Sequence, residues 1–378
     1  MTTTAGRPAP PFSAGRDRPA PALAHITPNW YAAVMGTGIV AVAAASLPEQ
    51  FPGLRAAATV IWALAAALLV AVTTATIAHW RWHPQAARAH ARDPIMVMFY
   101  GAPPMALLTV GAGLLLLGRQ VTGLRLAVDV DWALWLTGTV LGLVTAAAVP
   151  YLMFTRHRLR PGTAFGGWLM PVVPPLVSAS TGALLLPHVA DAQARLALLL
   201  ACYAMFGLSV LASLIVITLI WGRLASHGVG PARLVPTLWL ILGPLGQSVT
   251  AANLLGLAAL HALPDPYASA LRVLGVLYGV PVWGFAVLWT LIAAAITLRT
   301  ARRHLPFSLT WWSFTFPVGT CVTATTTLAA QTGSSVLRVA AAVWYAGLVL
   351  AWLTVAIRTA HGTARGTLFL PQPALAAD

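Results

Sequence analysis

Residues 311–320 read "WWSFTFPVGT". The stretch sits in the ninth of ten long apolar runs, and Pro317 falls near the middle of what should be a membrane-crossing helix, with Phe316 directly before it. Proline brings no amide hydrogen and its ring crowds the preceding turn, so the helix is expected to break there. A break at mid-membrane is tolerated only where protein or a water-lined cavity satisfies the freed backbone groups. The stretch therefore belongs in an interior, and its phenylalanine projects at the point of the break.

The rest of the chain supplies the membrane. Of 378 residues, 59% are hydrophobic and only 8% charged, and the mean hydropathy is +0.81. A soluble domain carries about 25% charged residues. The expected fold class is an all-α polytopic membrane protein, with spans at about 29–47, 56–79, 95–117, 133–154, 166–187, 195–221, 234–260, 270–298, 308–330 and 336–358, each long enough for a hydrocarbon core of roughly 30 Å. The domain division is a disordered tail over 1–24, a ten-helix membrane domain over 25–361 and a second tail over 362–378. The formal charge of +14 comes from arginine alone, since lysine is absent. No basic, aromatic-interleaved soluble domain accompanies it, so no nucleic-acid partner is expected. Cys202 and Cys321 both lie inside spans and give no disulfide framework.

Arginine position sets the topology. Sixteen of the 22 fall in the N-terminal tail, in alternate loops and in the C-terminal tail, among them Arg81, Arg156, Arg158, Arg160, Arg223, Arg299 and Arg365. The opposite side holds Arg55, Arg119, Arg125, Arg195, Arg272 and Arg338, with Glu49, Asp129, Asp131, Asp191 and Asp265 beside them. Both termini are expected to be cytoplasmic, in the plasma membrane.

Odd spans differ from even ones. Their centres read "MGTG" (Met35–Gly38), "GAPP" (Gly101–Pro104), "PVVPP" (Pro171–Pro175), "GPLG" (Gly243–Gly246) and "FPVG" (Phe316–Gly319). Breaks are expected at Gly36, Pro104, Pro175, Pro244 and Pro317, with Thr37, Gly38 and Gly243 beside them. Even spans are smoother, although Pro150 and Pro281 occur in two of them. Near-constant spacing implies five helical hairpins in quasi-five-fold arrangement. The broken odd helices are expected around a central pore and the even helices against lipid. Each outer half-helix would start at mid-membrane with free amides and a partial positive charge, favouring an anion.

Candidate site residues follow. If the position before the break faces the axis, Phe316 plugs it, an apolar constriction of the kind that gates by sterics and dewetting. Phe314 is the competitor; two residues apart on a helix is about 200°, so both cannot face the axis. Gln247, Ser248 and Thr320 offer polar lining, and for the Gln247–Asn253 cluster interhelical bonding and pore lining both stay open. No Asp, Glu, Arg or His falls in the middle of a span, which argues against a proton relay. "HWRWH" (His79–His83) has metal-like spacing but reads as an interfacial cluster. No nucleophile–base constellation, phosphate loop or cofactor motif is present, so no enzyme, cofactor or metal is expected.

The stretches "PNWYAAVMGTGI" (28–39), "GPLGQS" (243–248) and "WWSFTFPVG" (311–319) resemble the tellurite-resistance/dicarboxylate transporter family, which includes malate and sulfite transporters and slow anion channels. The resemblance covers about 29–358. It implies ten helices in five hairpins, a pore lined by the odd helices, an occluding phenylalanine at Phe316 with Phe314 not excluded, and a homotrimer with one pore per subunit. The expected function is passage of small anions, such as C4-dicarboxylates, sulfite or inorganic anions. Proton-coupled dicarboxylate symport is the alternative, and a membrane-embedded sensor or enzyme a further one.

Overall fold

The computed structural model describes residues 21–156 and 162–369. The expected tail segments 1–20 and 370–378 lie outside the described residues, as do Arg158 and Arg160. Every regular element described is helical: α1 (Tyr31–Ser46), α2 (Leu54–Trp82), α3 (Pro84–Arg92), α4 (Ala102–Gly113), α5 (Arg119–Thr122), α6 (Leu124–Arg156), α7 (Pro174–Leu185), α8 (Ala192–His227), α9 (Leu242–Ala259), α10 (Tyr267–Ala301), α11 (Phe316–Thr332) and α12 (Ser335–Ala364). Short 3-10 turns precede α1, α4, α7, α9 and α11.

Eight described helical stretches are long and apolar enough to cross a membrane. The fifth and ninth expected spans are the other two. Pro171, Pro174 and Pro175 leave α7 only 12 residues after an irregular turn, and Pro317 starts α11, of 17 residues, after the 3-10 turn Leu309–Phe314. No break exists at Gly36. There α1 runs unbroken, and the glycine serves contact instead: a Cβ on it would lie 2.3 Å from Thr315 Oγ1 and 2.6 Å from the Trp312 ring. Pro150 and Pro281 are absorbed inside the continuous helices α6 and α10.

Two kinds of helix result. In the most apolar 18 residues of Pro28–Ser46, Met96–Thr122 and Ala232–Ala259, 83–89% of residues are buried, against only 17–28% in those of α2, α6, α8, α10 and α12. The long helices present Val60, Ile77, Phe154, Ile215, Leu277 and Val343 outward. Such an apolar exterior is a lipid-facing surface and not a water-facing one. The short helices pack in a closed order: α1 on α4, α4 on α7, α7 on α9, α9 on α11, and α11 back on α1. Each long helix rests against its own hairpin partner and the next short helix, so α2 touches α1 and α4, and α12 touches α11 and α1.

Polar groups on the long helices satisfy the irregular backbone inside. Ser209 of α8, fully buried, donates to the Val172 carbonyl and accepts from the Leu176 amide at 3.1 Å, bridging the break before α7. Indole N–H groups make a second set of ties: Trp62 of α2 to the Val110 carbonyl, Trp135 of α6 to Ser178 and Trp289 of α10 to Leu238, at 2.9–3.0 Å. An aromatic ring with one donor suits this place, apolar toward lipid and polar at its inner edge.

At one end of the bundle, the turn Pro21–His25 docks on α2. The His79 ring lies with Nδ1 2.8 Å from the Leu23 carbonyl; a carbonyl only accepts, so Nδ1 carries the hydrogen. His90 of α3 stacks on His79 at 5.3 Å, and His83 lies 6.3 Å from it. That turn takes in residues 21–24 of the tail expected over 1–24.

Two outcomes are expected here. Ser209→Ala strands the Val172 carbonyl, at a cost of about 1–3 kcal/mol, while the Leu176 amide keeps the Val173 carbonyl; the loss is read as a lowered unfolding temperature in detergent, and an unchanged midpoint would show that the carbonyl has another partner. Burial, then the neighbouring His79 and His25, hold His90 below its ordinary value, with Asp93 opposing. The neutral ring is thus the docked form. Docking persists at neutral pH and weakens as pH falls below the usual imidazole range of about 6.5. Hydrogen exchange at residues 21–26 should accelerate on acidification beyond its intrinsic rate, and His90→Gln should flatten that dependence.

Candidate functional site

Two cavities lie within the ring of short helices, and residues from all five helical segments line each. The upper one, about 170 Å³, is built in tiers. Ser46, Leu116, Leu184, Leu254 and Thr327 form the outermost. Val42, Ala112, Ser180, Thr250 and Thr323 form the next, and Ile39, Thr109, Val177 and Gln247 the third. The lower cavity, about 10 Å³, holds barely one water-sized sphere. Its tier is Met35, Met105, Val173, Gly243 and Phe316. Within every tier, successive members lie 70, 68, 70 and, where a fifth is present, 73 residues apart. The five short helices therefore run in the same direction and in the same register.

Phe316 is the one residue common to both linings. It is 3% exposed and starts α11 at the proline break. On the neighbouring helix α9 in the same tier, a Cβ on Gly243 would meet nothing within 4 Å. The missing side chain leaves the space beside the phenylalanine ring. This register corrects the sequence alignment of the breaks, which set Phe316 level with Pro103 and Pro174. The structure sets it level with Met105 and Val173, because the prolines sit at slightly different depths in their helices.

Neither lining contains a charged side chain. The hydroxyls mostly spend their hydrogens on their own helices: Thr109 donates to Met105, Ser180 and Thr181 to Val177, Thr250 to Gly246, Thr323 to Thr320 and Thr327 to Ala324, at 2.7–3.1 Å. Thr250 and Thr323 hydroxyls also meet at 2.8 Å. Gln247 is the only lining side chain with an N–H, and its Nε2 donates to Ser180 Oγ. A primary amide has two hydrogens, so one remains for a guest. Polar groups concentrate on α7, α9 and α11, while α1 and α4 contribute mainly aliphatic surface.

The structure gathers Phe316, Gly243, Pro244, Pro317 and Gln247 at these cavities. Other sequence candidates lie elsewhere. Thr37 accepts from the Trp352 indole of α12 at 3.1 Å. Gly38 packs on Thr109. Pro104 faces α6 at Gly138, and Pro175 is buried at the start of α7. Ser248 donates to the Leu245 carbonyl, and Thr320 donates to the Pro317 carbonyl at 2.7 Å, with the Leu242 and Gly243 carbonyls farther off at 3.2 and 3.3 Å. Phe314 is half-buried, edge-on to Trp239 and Trp311 at 5.5 and 5.6 Å, and Arg358 caps Trp311 at 4.8 Å.

Sequence reasoning missed Met105 as a lining residue; constant spacing from Met35 and Phe316 was the signal for it. It also misplaced Asp131. Read as a loop residue, Asp131 lies inside α6, which starts at Leu124. It is 1% exposed, and neither carboxylate oxygen has a protein partner. Its Oδ1 would come within 2.2 Å of a Cβ on Gly111 of α4, next to the lining residue Ala112. An aspartate thus lies within a membrane-length helix, where none was expected.

The chain is similar in sequence to known transport proteins. A sulfite efflux pump SSU1 of Arthroderma otae is 28% identical over 92% of this chain and 93% of its own length. An uncharacterized transporter, MJ0762, of Methanocaldococcus jannaschii is 24% identical over 90% of this chain and 96% of its own. The malic acid transport protein of Schizosaccharomyces pombe is 20% identical over 78% of this chain and 68% of its own. The family model described as SLAC1, voltage-dependent anion channel, matches residues 25–360, from the docked N-terminal turn to the end of α12, and the chain belongs to that family of membrane anion transporters.

Proposed function

We propose that the chain passes small anions along the axis of the five short helices, and that Phe316 closes the way. The reading takes the protein as ten membrane helices in five hairpins with quasi-five-fold symmetry. The observation that carries it is the position of Phe316, shared between a tiered cavity and a much smaller one beneath it. An aromatic ring at a dry constriction blocks ions by volume and by the hydration they would lose.

Selectivity for anions rests on the backbone. The helices α4, α7, α9 and α11 begin within a few residues of the Phe316 tier, so their partial positive ends surround it. Two of those amides are already engaged, Leu176 by the Val173 carbonyl and Ser209, and Gly319 by the Thr315 carbonyl. Gln247 adds a neutral donor above the ring. Neutral donors and dipoles suit sulfite, a C4-dicarboxylate such as malate, or inorganic anions, and the curated relatives named for sulfite efflux and malic acid transport support the first two. The protein is placed in the plasma membrane with both termini cytoplasmic, from its arginine distribution, and as a homotrimer with one conduit per subunit, from family resemblance.

Purified protein in liposomes provides the test. Phe316→Ala should raise chloride or sulfite efflux at least about tenfold by removing the plug, with potassium flux still negligible. Phe314→Ala should stay at the wild-type level. Phe316→Ala conducting like wild type, or passing potassium as fast as chloride, overturns the reading.

Proton-coupled symport is the second reading, and Asp131 favours it. The carboxyl group is buried and unpartnered behind the cavity wall formed by α4, the kind of intramembrane ionisable group that marks proton pathways. If it couples, Asp131→Asn should abolish pH-driven uptake while leaving voltage-driven flux. Voltage-driven flux in wild type that is indifferent to a protonophore removes this reading.

A further inference from the structure

Each long helix carries one arginine within its first two turns: Arg55 of α2, Arg125 of α6, Arg195 of α8, Arg272 of α10 and Arg338 of α12. Four of them reach across to the end of the next short helix in the ring. Arg55 Nη2 donates to the Leu116 carbonyl at 2.6 Å, and Leu116 is in the outermost tier of the cavity. Arg195 Nη1 donates to the His261 carbonyl just beyond α9 at 3.1 Å, while its Nε and Nη2 hold the Val189 carbonyl. Arg272 Nε donates to Gln331 Oε1 at the end of α11 at 3.2 Å. Arg338 lies 3.7 Å from Glu49, just past α1.

The five short helices run in one direction, so their carbonyl ends all converge on this rim. Aligned peptide dipoles place about half a negative charge at each helix C-terminus. Five such ends around the mouth of a conduit repel the ion it is built to pass. A guanidinium at such an end offsets that repulsion. Arg338 spends its charge on Glu49. Arg55, Arg195 and Arg272 hold neutral acceptors, so their charge is left for the rim. The acids nearest Arg195 and Arg272 in sequence take neutral donors and not the guanidiniums: Asp191 accepts from the Ala194 amide and Asp265 from Ser269.

We propose that Arg55, Arg195 and Arg272 are permeation residues, cancelling the negative helix ends so that anions cross this rim. The inference rests on the conduit reading above. The competing role is mechanical, with the arginines merely tying each hairpin to the next. A tie contributes to stability and is indifferent to salt. A charge compensator alters current, direction and salt dependence.

The experiment uses planar-bilayer chloride currents in the full-length Phe316→Ala parent, where flux is open. Each of Arg55→Gln, Arg195→Gln and Arg272→Gln should lower current entering from the rim about twofold at low salt, and the triple variant about fivefold, with the loss largely screened above about 0.5 M salt. Arg→Lys at the same positions should restore the current, because it returns the charge without the planar fork. Arg338→Gln combined with Glu49→Gln removes a neutral pair and should change nothing. Variants that unfold at lower temperature yet keep parental current and salt dependence, or lysines that fail to restore current, overturn this inference alone. A parent that passes no anion overturns the conduit reading, and this inference with it.

Discussion

In hydrocarbon, a backbone amide or carbonyl without a partner has no water to turn to, and the architecture follows from that constraint. Five segments of this chain contain glycine or proline where a membrane helix would be expected to continue. They cannot face lipid. They pack on one another in a closed ring, and the long continuous helices, with all their backbone bonds made internally, cover them. Ser209 shows the cost being met locally: one hydroxyl from a long helix serves the Val172 carbonyl at the break and shares the Leu176 amide with the Val173 carbonyl. The indoles of Trp62, Trp135 and Trp289 do the same for inner carbonyls.

Once five short helices run parallel around an axis, a cavity follows from geometry. Side chains at equal depth form tiers, and each tier is as wide as its residues are small. The outer tiers combine leucine, alanine and hydroxyl residues and leave space. The tier of Met35, Met105, Val173, Gly243 and Phe316 is different. Two methionines and a valine already narrow the axis there. The one glycine makes room for the one aromatic ring. In the proposed path, an anion would meet no opposite charge on such a wall, which would keep it from being held tightly, and would meet the positive ends of helices at the narrowest depth.

The prolines were legible in sequence because each carries its own chemical reason for a break, and α7 and α11 start where Pro174 and Pro317 require. Glycine was not, because it serves equally a break and a close approach. Which of the two Gly36 serves depends on Trp312 and Thr315, nearly 280 residues away. Aligning repeats by their prolines slipped the register of the Phe316 tier, since the break and the axis-facing residue need not coincide. Counting from Met35 to Met105 would have avoided the slip. Asp131 was hidden by its neighbours: the charged start of α6, "LRLAVDVD", reads as loop by hydropathy, although packing on α4 extends the helix through it. Ser209 gave no signal at all, as a lone serine in an apolar run.

The central claim, an axial path interrupted only at Phe316, is tested most directly by cysteine accessibility in a background lacking Cys202 and Cys321. A small charged thiol reagent applied from the rim should modify Thr323→Cys above the ring and leave Met105→Cys below it unmodified. Adding Phe316→Ala should make Met105→Cys reactive from the same side. Equal modification of both positions with Phe316 intact, or a Thr323→Cys that reacts from neither side, would contradict the account.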